Sequence, residues 1–104
     1  MIVTNPGPKA AYLIAAWQIK APEHLQAFIE QVVPLAEKAG FELLANNTPQ
    51  WLEGLWPYSG VVIVQRYSSM VALQAFWHSP QHQAIKVLRH HAIESHFVIA
   101  VEAS

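Results

Sequence analysis

From Ala10 onward the chain alternates short apolar runs with longer amphipathic stretches, and its most apolar run is Val61-Val-Ile-Val64. Every position of that run is β-branched, so it shows no alternation between an inner and an outer face. A strand of this kind is covered on both sides. Residues 10–20 behave similarly: Tyr12, Ile14 and Ala16 fall on one face, and Leu13, Ala15, Trp17 and Ile19 on the other. One layer of helices covers one face of a sheet, and a chain this short has few elements left for a second layer. The pattern therefore predicts a sheet whose other face is covered by a second copy of the protein.

The rest of the pattern supplies the helices. Ala21-Pro22-Glu23 opens one, with proline at the first helical position and a carboxylate near the positive end of the dipole. Leu25, Phe28, Ile29, Val32, Leu35 and Ala36 recur at helical spacing as its buried stripe. Pro34 removes an amide donor and is expected to kink this helix, and Gly40 suits its end. Residues 41–52 read as a longer, irregular strand interrupted at Asn46-Asn47-Thr48-Pro49, and residues 61–67 as the next strand. Ser68 or Ser69 caps a helix to about Trp77. Ser79-Pro80 then starts another to about His91, with serine as cap and proline at the first position. A strand over 95–102 completes the order β-α-β-β-α-β. That order predicts a single ferredoxin-like α+β domain over residues 10–104, an antiparallel sheet with helices on one face, preceded by an arm over residues 1–9 rich in proline and glycine.

Composition sharpens this picture. Of 104 residues, 53% are hydrophobic and only 12% charged, about half the usual charged share of roughly 25%. So little charge on so small a domain points to apolar surface held in an interface. A net charge of −1 gives no basic footprint for nucleic acid. Lys9 followed by Ala10–Trp17 lacks a convincing cleavage site and reads as a first strand rather than a leader. No run approaches the ~20 residues that span a membrane. The default expectation is a cytoplasmic protein. Cysteine is absent, which removes disulfides, thiolate metal sites and a cysteine nucleophile together. Aspartate is absent too, leaving seven glutamates as the only side-chain carboxylates.

Candidate chemistry gathers in two places. Glu53 stands among Trp51, Leu52, Leu55 and Trp56, where partial burial would suit it to proton transfer; otherwise it is a turn residue accepting amides around Gly54. His78 and His82 are four apart, but Ser79 and Pro80 between them break a shared helix face, and no metal is expected there. His82 in the first turn of a helix is either a neutral acid/base facing a pocket or a solvent-facing cap residue. Arg89, two turns further on, either anchors a substrate carboxylate or pairs with Glu94 or Glu102. Arg66 could anchor likewise or reach water. His90, His91 and His96 suit a helix C-terminal end. Trp56 and Trp77, like Trp17 and Trp51, are core or interface aromatics unless they line a cavity for a flat, apolar ligand. Phosphate loops, nucleophile elbows and dinucleotide fingerprints are missing.

Glu53-Gly54 with Trp56-Pro57, the apolar strand, Ser69-Met70, Ala72, Phe76-Trp77, Ser79-Pro80 and Arg89 together resemble the DUF1330 family, as do Ala11–Ile14 and Pro34-Leu35 ahead of Glu37-Lys38. The resemblance spans roughly residues 10–103. It implies the dimeric α+β barrel, in which two ferredoxin-like sheets pack face to face. His78 and His82 stand where the family often has an acidic residue and an aromatic, and Gln65-Arg66 where it usually has an acid near the strand end. The superfamily includes cofactor-free monooxygenases, small-ring isomerases, heme enzymes and proteins without known activity. The expected function is thus a small homodimeric, cofactor-independent acid/base protein acting on a small apolar or aromatic carbonyl compound. In it Glu53 would be the base, His82 or His78 the acid, Arg89 the anchor, and Trp56, Arg66 and Trp77 further substrate contacts. The alternatives are a non-catalytic small-molecule-binding or regulatory dimer, and a heme or metal protein suggested by the six histidines.

Overall fold

The computed structural model describes residues 9–104, so the arm expected over residues 1–9 lies, apart from Lys9, outside the described residues. The elements follow in the order β1 (Ala11–Ile19), α1 (Pro22–Lys38), β2 (Glu42–Asn47), β3 (Val61–Tyr67), α2 (Met70–Trp77), α3 (Pro80–Ala92) and β4 (Ile93–Glu102). All strand pairs are antiparallel, and the sheet runs β2-β3-β1-β4. This is the ferredoxin-like βαββαβ arrangement predicted above, with the second helix in two pieces.

Local chemistry explains most boundaries. Ser69 caps α2 by accepting the Ala72 amide at 3.0 Å, and Ser79 caps α3 by accepting the His82 amide at 3.1 Å. Pro22 and Pro80 stand at the helix starts, where the missing amide hydrogen costs nothing. Helix α1 continues through Pro34 to Lys38 and ends where Gly40 takes a φ of +79°. The strand expected over 41–52 is shorter than that. It stops at Asn47, because Asn47 Oδ1 accepts the Thr48 amide at 2.9 Å and Pro49 has no amide to give. The irregularity in β2 falls between Leu43 and Ala45, earlier than the Asn pair. Residues 48–60 form an irregular loop instead.

The two faces of the sheet meet different fates. Leu13 and Ala15 of β1 face the helices and are buried with Ala36, Leu73 and Phe76. The opposite face carries a row across three strands, in which Ile14 is paired with Val64 on one side and Ile99 on the other. Ile99 and Val101 are each 48% exposed in the single chain. The 48–60 loop covers one end of this open face. Trp56 and Tyr58 meet Phe97 edge-on at 6.2 and 5.9 Å, and Tyr58 stacks on His96 at 4.8 Å. Gly60 brings the loop back into β3 with a φ of +102°, so close to β1 that a Cβ would lie 2.1 Å from the Trp17 carbonyl oxygen.

Candidate functional site

A cavity of about 210 Å³ lies between the helix-facing side of the sheet and helices α1 and α3. Its wall is mainly apolar, built from the inward residues of β1 and β3 and the stripe of α1 that includes Phe28, Val32 and Ala36. An apolar cavity of roughly 150 Å³ can hold benzene, so this one has room for a six-membered ring and a small substituent.

Helix α3 places two polar side chains in that wall. His82 and Arg89 both line the cavity, and they are only 2% and 7% exposed. The Ser79 cap fixes the first turn of the helix, and His82 Nδ1 lies 2.8 Å from the Trp77 carbonyl oxygen. A carbonyl only accepts, so Nδ1 carries the hydrogen and Nε2 keeps its lone pair. Burial holds the imidazole below its ordinary pKa, outweighing the opposing bond to Trp77, and the Arg89 charge pushes the same way. Neutral His82 is therefore the dominant form at neutral pH. The expectation that His82 caps the helix facing solvent does not hold: its backbone amide is the capped group, and its ring is turned inward.

Arg89 has the least satisfied surroundings. Its guanidinium carbon sits 4.7 Å from the centre of the Trp77 ring, a cation–π geometry. Its Nε is buried without a hydrogen-bond partner among the described residues. Glu94 and Glu102, the alternative partners read from sequence, are exposed and form no ion pair with it. Burial lowers the Arg89 pKa, yet arginine starts far enough above neutrality to stay charged. A buried charge without a counter-charge is costly, of order several kcal/mol. Trp77 touches both groups, since its ring lies 4.7 Å from that of His82 as well. Trp77, His82 and Arg89 are thus the sequence-read candidates that the fold brings together.

The others lie elsewhere. Glu53 is exposed, and three of the four residues expected to bury it, Trp51, Leu52 and Leu55, are 71, 92 and 89% exposed, while Trp56 is half-buried. The Trp51 indole N–H donates to the Gly54 carbonyl, which turns the loop without enclosing the carboxylate. Arg66 points to the open face. Strand alternation sends its neighbours Gln65 and Tyr67 into the cavity wall, while Arg66 meets its cross-strand partner Glu42 at 3.8 Å. Trp56 packs on Tyr58 and Phe97, and His78 is exposed at the end of α2. No group of three or more metal-ligating side chains forms among the described residues.

Sequence reasoning missed Gln65 and Tyr67 as cavity residues. The Tyr67 hydroxyl donates to Gln65 Oε1 at 2.9 Å, and burial pushes the phenol pKa up, so it stays protonated. The signal was present: continuing period-2 alternation from Ile63 puts Gln65 and Tyr67 on the same face.

The sequence profile of one family, described as a domain of unknown function (DUF1330), matches residues 10–103. The chain belongs to the DUF1330 family. No functionally curated protein matches it. Among solved structures, RPA0582, a protein of unknown function from Rhodopseudomonas palustris, is 15% identical with a TM-score of 0.73, covering 92% of this chain and 83% of its own. SnoaB, a cofactor-independent oxygenase from Streptomyces nogalater, is 8% identical with a TM-score of 0.62, covering 92% and 94%. A dimeric ferredoxin-like protein of unknown function from Thermobifida fusca YX is 13% identical with a TM-score of 0.55, covering 94% and 92%. At these identities the DUF1330 chain shares the fold of these proteins, and its site must be argued from its own residues.

Proposed function

We propose that this DUF1330 protein is a homodimer that takes a small apolar or aromatic carbonyl compound into the cavity and moves a proton on it with His82. The observation that carries the reading is the His82 ring itself. It is buried in an apolar wall and tied through Nδ1 to Trp77, and its Nε2 lone pair has no protein partner among the described residues. A neutral imidazole held in one tautomer can take a proton from the carbon beside a carbonyl, giving an imidazolium and an enolate, and then return it to the same or another atom. Such a transfer calls for no cofactor. SnoaB, of the same fold, is described as a cofactor-independent oxygenase, which agrees with this economy of means.

The proposal gives the proton-transfer role to His82 rather than Glu53, because Glu53 lies in the exposed loop and outside the cavity wall of its own chain. The homodimer rests on the apolar open face and the exposed Leu52 and Leu55, together with the fold shared with a dimeric protein.

The test is hydrogen exchange at carbon. Small aryl ketones and aryl keto acids are incubated with the protein in D₂O, and loss of the proton beside the carbonyl is followed by NMR. Wild type is expected to accelerate exchange, and His82→Asn to slow it by about 10²- to 10⁴-fold, the usual worth of a positioned general base. Equal rates for the two proteins would contradict the assignment and leave a binding function without turnover.

A further inference from the structure

We infer that the cavity's ligand is a flat, apolar monocarboxylate, such as an aryl or aryl-alkenyl acid, held by the unpartnered N–H edge of Arg89. This rests on the reading of the cavity as the ligand site and adds to it the charge and shape of what enters.

Four observations converge. The first is the orphaned donor: Arg89 is only 7% exposed, and its Nε has no partner among the described residues. A guanidinium presents its Nε and one terminal nitrogen as a fork that matches the two oxygens of a carboxylate. The second is orientation. The Arg89 guanidinium carbon lies over the Trp77 ring at 4.7 Å, a contact that holds the group in place and still leaves Nε without an acceptor. The third is charge balance. Among the described residues, the wall contains Arg89 and His82 but no glutamate and no lysine. With the imidazole neutral, the site carries one positive charge, which suits a monoanion and gives a dianion nothing further to pair with. The fourth is shape. The remaining wall is apolar and the volume is about 210 Å³, enough for a ring with a short carboxylate-bearing arm. The Gln65 carboxamide oxygen is occupied by Tyr67, so its N–H₂ is the donor left for a second acceptor on the ligand.

A structural arginine and a ligand-binding arginine differ in what their removal does. If Arg89 only supported the fold, replacing it would destabilise the protein. If it waits for a carboxylate, removing a buried unpaired charge leaves the empty protein as stable or more stable, while binding is lost.

The experiment compares isosteric acids and amides. Benzoate, cinnamate and 3-phenylpropanoate, with their carboxamides, are titrated against the full chain by calorimetry and by quenching of Trp77 fluorescence, with Trp77→Phe as the control for the probe. The acids are expected to bind roughly ten- to hundred-fold more tightly than the amides, the range for a hydrogen-bonded charge. Arg89→Gln and Arg89→Met should abolish that preference with no fall in melting temperature. His82→Asn should retain it. Acids that bind no better than amides, acids that do not bind at all, or a preference that survives in Arg89→Gln would each overturn the inference. The proton-transfer reading fails separately. Arg89-dependent binding without His82-dependent exchange removes the catalytic role and keeps the carboxylate, whereas His82-dependent exchange of neutral ketones with no preference for acids does the reverse.

Discussion

At the scale of single residues, the candidate site is a pair of polar groups kept in an apolar wall, each in a state that its surroundings impose. His82 is neutral because burial outweighs its bond to Trp77, and that has a consequence for the whole protein. Above pH of about 6.5, the ordinary histidine value, folded and unfolded states both hold the ring neutral and its contribution is fully present. As pH falls below that value, the unfolded chain takes up the proton first, so stability declines until the folded pKa is passed. The melting temperature is expected to drop on acidification below pH about 6.5, and His82→Asn to lose part of that slope. An identical slope in the variant would mean that the burial of His82 has no energetic effect. His90 also sits below the ordinary value but is exposed, so the variant comparison is what isolates His82. The residue scale is also where sequence reading succeeded and failed most visibly. That His82 and Arg89 share one side of α3 was legible, because helix spacing places residues seven apart on a similar face; that this side is buried was left open by the sequence. Glu53 misled because Trp51, Leu52 and Leu55 beside it along the chain are themselves exposed and do not bury the carboxylate.

At the scale of elements, the boundaries set by local chemistry were the readable ones. Serine caps and first-turn prolines act within a few residues, so the break between α2 and α3 at Ser79-Pro80 follows from sequence alone. The loop over residues 48–60 was not readable in this way. Its apolar Trp51-Leu52 looks like a continuing strand, and only packing of Trp56 and Tyr58 on Phe97 shows what the segment does. Gly60 is the hinge of that packing, with a positive φ and no room for a side chain beside Trp17. Gly60→Ala is expected to destabilise the fold by more than about 2 kcal/mol through backbone strain and displacement of the loop from β1. Denaturant unfolding measures this directly, and a loss below about 0.5 kcal/mol would show that the loop relaxes freely.

At the scale of the molecule, the sheet divides the labour. Its helix-facing side holds the cavity, and its open side presents Ile14, Val64 and Ile99 in one row. Double-sided apolar strands were visible in the sequence, and the physical reason carries over: a half-exposed apolar face is stabilised by burial against a like surface. Ile99→Glu puts a charge in that apolar row, on the edge strand β4. Sedimentation is expected to show a dimer for wild type and a monomer for the variant, with an unchanged folded circular dichroism spectrum if the two faces are independent. A wild-type monomer at micromolar concentration would remove the dimer from the proposal.

The most direct test of the site is a crystal structure of the protein grown with cinnamate. The carboxylate is expected against the Nε edge of Arg89 and the ring in the apolar wall near His82, between the sheet and helices α1 and α3. An empty cavity, with Arg89 instead paired to a glutamate of the second copy, would contradict the account and make this arginine a structural contact of the dimer.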